Sequence, residues 1–337
     1  MSISLGYGLV TCQLHPDDPR KSAELIDEAL YLAKRAEKIG LDSVWVSEHH
    51  HVDDGHVGAL LVMLSAMAAS TKRIRLGTGV LLAPLHNPVR LAEEAMLVDL
   101  ISHGRLILGL GIGWRDEEFE VVRIDQSSRV ARLLDAVEVL QRAALGLPTR
   151  VADDGTRVGR ITPNTGTLGR PPIWIGALAE AAIERAGRIA DGFMATEVTP
   201  AEFAHQVALA RGAAAEAGRD AASLAISVHL PVLVTEEPWE HVRDLIRYPG
   251  WKYGDMEGQR GHAGPLGLPP EWADGEEERL RETSLVGSPD AVAARIREYA
   301  DAVGGTVTFI ARSYLPGAGA ERQLSALHRL GELLPFL

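Results

Sequence analysis

The stretch Val44-Trp45-Val46-Ser47-Glu48-His49-His50-His51-Val52-Asp53-Asp54 runs from small and apolar residues straight into a carboxylate, three imidazoles and two more carboxylates. An apolar run this short reads as a buried strand rather than a helix. The polar residues therefore stand at the strand's C-terminal end. Three chemistries fit them: a metal site built from imidazole and carboxylate, the rim of an organic active site, or a solvated loop.

Working outward, Lys38-Ile39-Gly40-Leu41-Asp42 ends a helix on a glycine just before this strand, and Ser102-His103-Gly104-Arg105 does the same before Leu106. Short apolar runs alternate with amphipathic helical patterns along the chain, as in repeated βα units around a parallel sheet. Strands are expected near 3–10, 43–46, 74–80, 106–111, 173–175, 192–195, 224–234 and 306–310. Helices are expected near 22–38, 59–70, 88–101, 129–145, 180–189, 200–217, 289–303 and 320–334. Asn87-Pro88, Thr199-Pro200 and Ser288-Pro289 each place a capping side chain before a proline at the first helical position. Eight such units without a break in composition favour a closed (β/α)8 TIM barrel over an open doubly wound sheet. The 337 residues then form one domain, 1–337, interrupted by a long insertion after the seventh strand, at about 236–284. That segment is rich in Pro, Gly and charge and carries Tyr248, Trp251, Tyr253 and Trp272, so it reads as a surface excursion or a substrate lid.

With 46% hydrophobic and 24% charged residues, the chain can bury a sizeable core. A net charge of −12, its signs interspersed, lacks the basic patch that nucleic acid or an anionic membrane requires. Neither partner is expected; a small molecule is. The single cysteine, Cys12, excludes a disulfide framework and fits a reducing, cytoplasmic setting. No signal peptide or membrane-spanning run is expected.

In a parallel barrel, catalytic groups gather at the C-terminal ends of the strands. Glu48, His49 and His50 occupy such an end. A metal-dependent barrel would need ligands at other strand ends as well, and only His229 lies within a later strand, so no metal is expected. The third strand, Arg75-Leu76-Gly77-Thr78-Gly79-Val80, has two bare glycines that suit a bulge, room for packing, or a flat ligand. The fourth ends in Gly109-Leu110-Gly111-Ile112-Gly113, which lacks the Gly-x-Gly-x-x-Gly spacing of a dinucleotide site. Ile175-Gly176-Ala177-Leu178-Ala179-Glu180 leads from a strand into a helix, whose free N–H groups could hold a phosphate.

Trp45-Val46-Ser47-Glu48-His49-His50 resembles the Trp-x-x-Glu-His-His block of the bacterial luciferase-like flavin-dependent oxidoreductases. Gly77-Thr78-Gly79-Val80, His86-Asn87-Pro88-Val89-Arg90-Leu91-Ala92-Glu93-Glu94, Asp99 to Arg105, Trp114 to Phe119, Ala190-Asp191-Gly192 and Gly287-Ser288-Pro289 continue the match in register. The resemblance implies a barrel carrying reduced FMN or, in a related branch, the deazaflavin coenzyme F-420. It also implies a cis peptide at Gly79–Val80 beneath the flavin rings. The implied catalytic set is His49 with Glu48 and His50. The implied cofactor set is Gly79, Val80, Gly111, Arg129, Gly176, Ala177 and Leu178. Two positions depart from the family pattern: Ile112 stands where luciferase has a phosphate-binding arginine, and Val130 where many FMN-binding members have tyrosine. The phosphate is then expected at the Gly176 turn.

The resemblance implies a monooxygenase that takes reduced FMN from a separate flavin reductase and oxidises a small carbonyl-containing or hydrophobic substrate with oxygen; a cytoplasmic homodimer is expected. A deazaflavin-dependent hydride transferase and a non-catalytic subunit of the same fold are the alternatives.

Overall fold

The computed structural model describes residues 2–51, 54–150, 157–164, 169–258, 268–269 and 271–337. Eight parallel strands form the barrel: β1 (Ile3–Val10), β2 (Ser43–Val46), β3 (Arg75–Thr78), β4 (Leu106–Gly111), β5 (Ile173–Gly176), β6 (Gly192–Thr196), β7 (Ala225–Val234) and β8 (Val307–Arg312). Each pairs with the next in chain order, and β8 pairs back onto β1 from Ile3↔Val307 to Gly8↔Arg312, which closes the sheet. The outer helices are α1 (Ser22–Ile39), α2 (Leu60–Ser70), α3 (Pro88–Ser102), α4 (Arg129–Ala144), α5 (Glu180–Ile189), α6 (Pro200–Glu216), α7 (Pro289–Val303) and α8 (Gly319–Gly331).

The expected caps are in place. The Asn87 side chain accepts from the N–H groups of Val89 and Arg90 at the start of α3, Thr199 and Glu202 cap α6 reciprocally, and Ser288 accepts from Ala291 at the start of α7. Gly40 ends α1 in the left-handed conformation. The third strand is shorter than its apolar run: pairing stops at Thr78, the Gly79–Val80 peptide is cis, and Leu81–Leu82 resumes the sheet against Leu110 and Gly111 of β4. Gly8–Leu9 is a second non-proline cis peptide.

Strand periodicity sorts the core. Val44 and Val46 face the helices, whereas Trp45 points into the barrel and packs with Leu9, Ile107, Trp174, Met194 and Ile310. The rings of Trp45 and Trp174 stack at 5.5 Å, and Trp45 Nε1 donates to Ser43 Oγ at 2.8 Å. Gly77 faces Trp45 directly: a Cβ there would lie 2.2 Å from Trp45 Cε3. The bare third strand is therefore explained by packing at Gly77. Among the described residues this plug fills the lower part of the barrel interior.

Between β7 and α7 the insertion contributes the helices Trp239–Gly258 and Glu276–Glu282 and a short strand, Leu285–Gly287, paired with the end of β7. Residues 259–267 and 270 of the insertion lie outside the described residues, as do Val52 and Asp53 of the opening stretch. Arg247 pairs with Glu276 at 2.6 Å and lies over the Trp272 ring at 4.3 Å, and Arg243 pairs with Glu277 at 3.0 Å. Arg279 reaches Glu202 on α6 at 3.1 Å and the Glu197 carbonyl at 2.9 Å. Two further elements had no clear signal in the apolar pattern: the helix Asp116–Val121 and the antiparallel pair Thr149–Arg150 and Arg157–Val158. Among the described residues no helix is long and apolar enough to cross a membrane.

Gly77→Ala should lower the unfolding free energy by about 1–3 kcal/mol through overpacking against Trp45. Gly212→Ala, on an exposed turn of α6 where a Cβ meets nothing within 4 Å, should raise it by about 0.5–1 kcal/mol. Urea unfolding of both variants checks the pair; equal stabilities would mean that the plug has room to spare.

Candidate active site

The last residues of β2 lead Ser47, Glu48, His49 and His50 onto the C-terminal mouth of the barrel. Glu48 is almost fully buried. Its Oε1 accepts from His50 Nε2 at 2.6 Å and from His86 Nε2 at 2.8 Å, and its Oε2 accepts the Leu82 N–H at 2.6 Å. Its own N–H donates to the Val80 carbonyl at 3.3 Å. One residue thus holds two imidazoles and one backbone N–H through its carboxylate, and the Val80 carbonyl through its own N–H. Burial alone would raise its pKa, but the hydrogen bonds and charges of His50 and His86 outweigh burial and bring it down to about 2. The same bond to Glu48 raises the pKa of His50.

His49 belongs to a different carboxylate. Its Nδ1 donates to Glu118 Oε1 at 3.2 Å, and that oxygen also accepts the His50 N–H at 2.9 Å. Arg115 stands 3.6 Å from the same oxygen and donates to the His50 carbonyl at 2.7 Å. The second oxygen, Glu118 Oε2, is buried without a partner. His56 lies edge-on to His49 at 5.1 Å and donates from Nε2 to the Ser47 carbonyl at 3.0 Å. Burial, with the neighbouring charge of His49, holds His56 well below the usual imidazole range. His51 is exposed in a left-handed conformation. Among the described residues no three His, Cys, Asp or Glu side chains are grouped as metal ligands.

The expected cofactor residues divide. Val80, Gly111 and Gly176 meet at the mouth: a Cβ on Gly111 would lie 2.5 Å from Val80 Cγ2, and one on Gly176 would lie 2.8 Å from Val80 Cγ1. Both glycines therefore make room for Val80, so a larger residue at 176 would displace Val80 before it met any ligand. Ala177 is half-buried against the outer core, Leu178 is exposed, and Ala179 stands at the N-cap of α5 without a side-chain cap. A cavity of about 1030 Å³ opens beside this turn, lined by Leu178, Thr196, Glu197, Pro231, Arg247 and Trp251 among others. The insertion helix forms one wall. Glu48, His49 and His50 lie outside that lining, on the β2 side, and so does Arg129, which opens α4. Ile112 packs against the outer core.

Of the three residues expected to act together, Glu48 binds His50 and His86, whereas His49 is bound by Glu118. His86 and Glu118 sit inside motif blocks already quoted, but nothing local marks them as partners of β2. Glu118 could have been noticed as an acid beside Phe119 on the buried face of a short helix.

The luciferase-like monooxygenase family matches residues 7–306. The chain belongs to this family. It is an oxidoreductase of the luciferase-like type. It is 28% identical over 321 residues to the 4-hydroxyprotoasukamycin monooxygenase of Streptomyces nodosus subsp. asukaensis, covering 89% of this chain and 84% of that protein. It is 35% identical over 201 residues to the F420-dependent glucose-6-phosphate dehydrogenase of Nakamurella multipartita, covering 58% and 56% of the two chains. Its fold matches the oxygenating constituent of 3,6-diketocamphane monooxygenase from Pseudomonas putida, a type II Baeyer-Villiger monooxygenase in complex with FMN, with a TM-score of 0.76 at 20% identity over 99% of each chain.

The Glu48 network makes a pH prediction. The carboxyl falls from its ordinary 4.5 to about 2, so its contribution to stability is present above pH 4.5 and is lost as the pH falls towards 2. His50 is raised from 6.5, so its contribution is full below pH 6.5 and is lost as the pH rises through the higher folded value. The stability gap between wild type and Glu48→Gln should therefore be widest between the two ordinary values, 4.5 and 6.5. Denaturant unfolding across pH 3 to 9 measures the gap, and a gap independent of pH would show that the carboxylate is not ionised against His50.

Proposed function

We propose that the protein is a monooxygenase that uses reduced FMN and oxygen on a small organic substrate with a carbonyl or hydrophobic character. The observation that carries the reading is the His49–Glu118 pair at the barrel mouth, set beside the Val80 backbone that Glu48 fastens from two sides. The residues present fit a flavin. Val80, backed by bare Gly111 and Gly176, offers an apolar ledge at the mouth, and the uncapped start of α5 offers amide donors for a phosphate without an arginine. Bound in its reduced form, the flavin supplies the electrons for oxygen activation.

The chain's own residues supply the rest. His49, oriented through Nδ1 by Glu118, holds or moves a proton at its other ring nitrogen. Glu48 has hydrogen bonds to both oxygens, so it positions His50, His86 and the Val80 ledge rather than exchanging protons itself. The sequence has no nicotinamide fingerprint, so reducing equivalents come from a separate flavin reductase; the Pseudomonas putida relative, described as an oxygenating constituent, supports this. The reading places the enzyme in the cytoplasm as a homodimer, supported by apolar Val62, Leu97 and Ile101 left exposed on the adjacent helices α2 and α3.

The second reading is deazaflavin-dependent hydride transfer in the same mouth. Ile112 and Val130, which depart from the FMN-binding pattern, and the F420-dependent relative favour it. Titration of the purified protein with reduced FMN and with reduced deazaflavin, with and without oxygen, separates the two. The monooxygenase reading expects reduced FMN to bind more tightly than oxidised FMN and oxygen to be consumed. Anaerobic turnover with the deazaflavin, and none with FMN, would replace it. His49→Ala should keep the fold and most flavin binding but slow turnover by roughly 10²–10⁴-fold; near-normal turnover would return the histidine to a solvated rim.

A further inference from the structure

The inward positions at the top of the barrel differ from those below them. Trp45, Trp174, Met194 and Ile310 are buried, whereas Val80, Gly176, Thr196 and His229 are half-buried. Val80 follows the end of β3, the other three come from β5, β6 and β7, and together they form the floor of the mouth. His229 is on that floor by strand parity: Val228 and Leu230 pack in the outer core, and Ala225, on the same side of β7 as His229, packs against the inner plug. Its register partners are Thr196 on β6 and Ile310 on β8, so it stands just above the plug. Two residues further along β7, Pro231 lines the large cavity.

His229 Nδ1 is buried and without a partner. An unpaired buried ring nitrogen is a cost that packing alone does not explain. Burial, together with the positive charge of Arg312, which pairs with Glu197 at 2.7 Å, lowers the His229 pKa to about 3. The ring is therefore a neutral hydrogen-bonding group. With Nδ1 closed off, Nε2 is the nitrogen left for a ligand.

We infer that His229 hydrogen-bonds, through Nε2, the polar edge of the flavin ring system from the wall of the mouth opposite His49. This rests on the flavin reading above. A phosphate at the start of α5 and rings on the Val80 ledge place the ring system over a floor whose only polar side chains, among the half-buried four, are Thr196 and His229. The pyrimidine portion of a flavin carries two carbonyl oxygens that need donors. A neutral imidazole supplies one without adding charge to the floor.

The test uses riboflavin and FMN, which share the ring system and differ in the phosphate, with wild type, His229→Phe and His229→Gln. Phe fills the space without a donor, and the Gln amide can place a nitrogen near the Nε2 position. His229→Phe should weaken both flavins by roughly three- to tenfold, the range of one net hydrogen bond, and His229→Gln should restore most of the loss. In wild type, the Nε2 resonance of His229 in ¹⁵N-histidine spectra should shift when either flavin is added. Unchanged affinities in His229→Phe and an unmoved Nε2 resonance on binding would overturn the assignment. If His229→Phe does not fold, the resonance and the Gln variant decide alone. Failure of wild type to bind either flavin would instead sink the flavin reading itself.

Discussion

The mouth of this barrel depends on the buried carboxylate of Glu48. A carboxylate removed from water is stable only if its oxygens are fully engaged, and here two imidazoles and one backbone N–H engage them. That requirement fixes the geometry around it. Leu82 must come to Glu48, so the chain leaves β3 early and the segment after Gly79 is pinned; His86 must come too, so the turn before α3 is drawn over the end of β2. Arg132 on α4 then accepts a place beneath the same turn, donating to the Pro84 carbonyl at 2.7 Å. The course of the Val80 segment at the mouth is a consequence of satisfying one acid.

Below that acid, the tryptophan plug sets the depth of the site. Trp45 occupies the inward position of β2 and Trp174 that of β5, and both need bare backbone opposite: Gly77 for the first, Gly192 for the second. Large rings in the lower barrel and glycines at its upper rim, Gly111 and Gly176, are two halves of one volume constraint, because the interior is packed to solid density. The space the rim glycines leave is taken by Val80. The sequence's glycines therefore do not mark ligand contacts directly; they mark where a side chain from another strand intrudes.

Much of the architecture could be read before the structure because it rests on local chemistry. Gly40, Asn87, Thr199 and Ser288 punctuate the helices in ways that need no tertiary partner, and the apolar strand runs needed only period and length. The site was legible in part. Position along β2 was enough to put Glu48, His49 and His50 on the mouth, and the motif was enough to expect the cis bond at Gly79–Val80. Which acid serves which imidazole was not legible, since His86 and Glu118 reach the β2 residues across 38 and 69 residues of chain. Nor was the purpose of Gly176, because its neighbour Val80 lies 96 positions earlier in the chain, just past the end of β3.

The two acids also divide the chemistry. Glu48 has both oxygens hydrogen-bonded, three bonds in all, and its low pKa keeps it a carboxylate throughout the pH range in which enzymes work; that suits it to orienting its neighbours. Glu118 is equally buried yet keeps Oε2 unpartnered, and its bonded oxygen faces His49. His49 therefore faces an acid with one oxygen unpartnered, while His50 and His86 share a carboxylate whose two oxygens are both hydrogen-bonded. On the proposed reading, proton movement falls to a single imidazole in a run of three, while His50 and His86 are held by Glu48 around it.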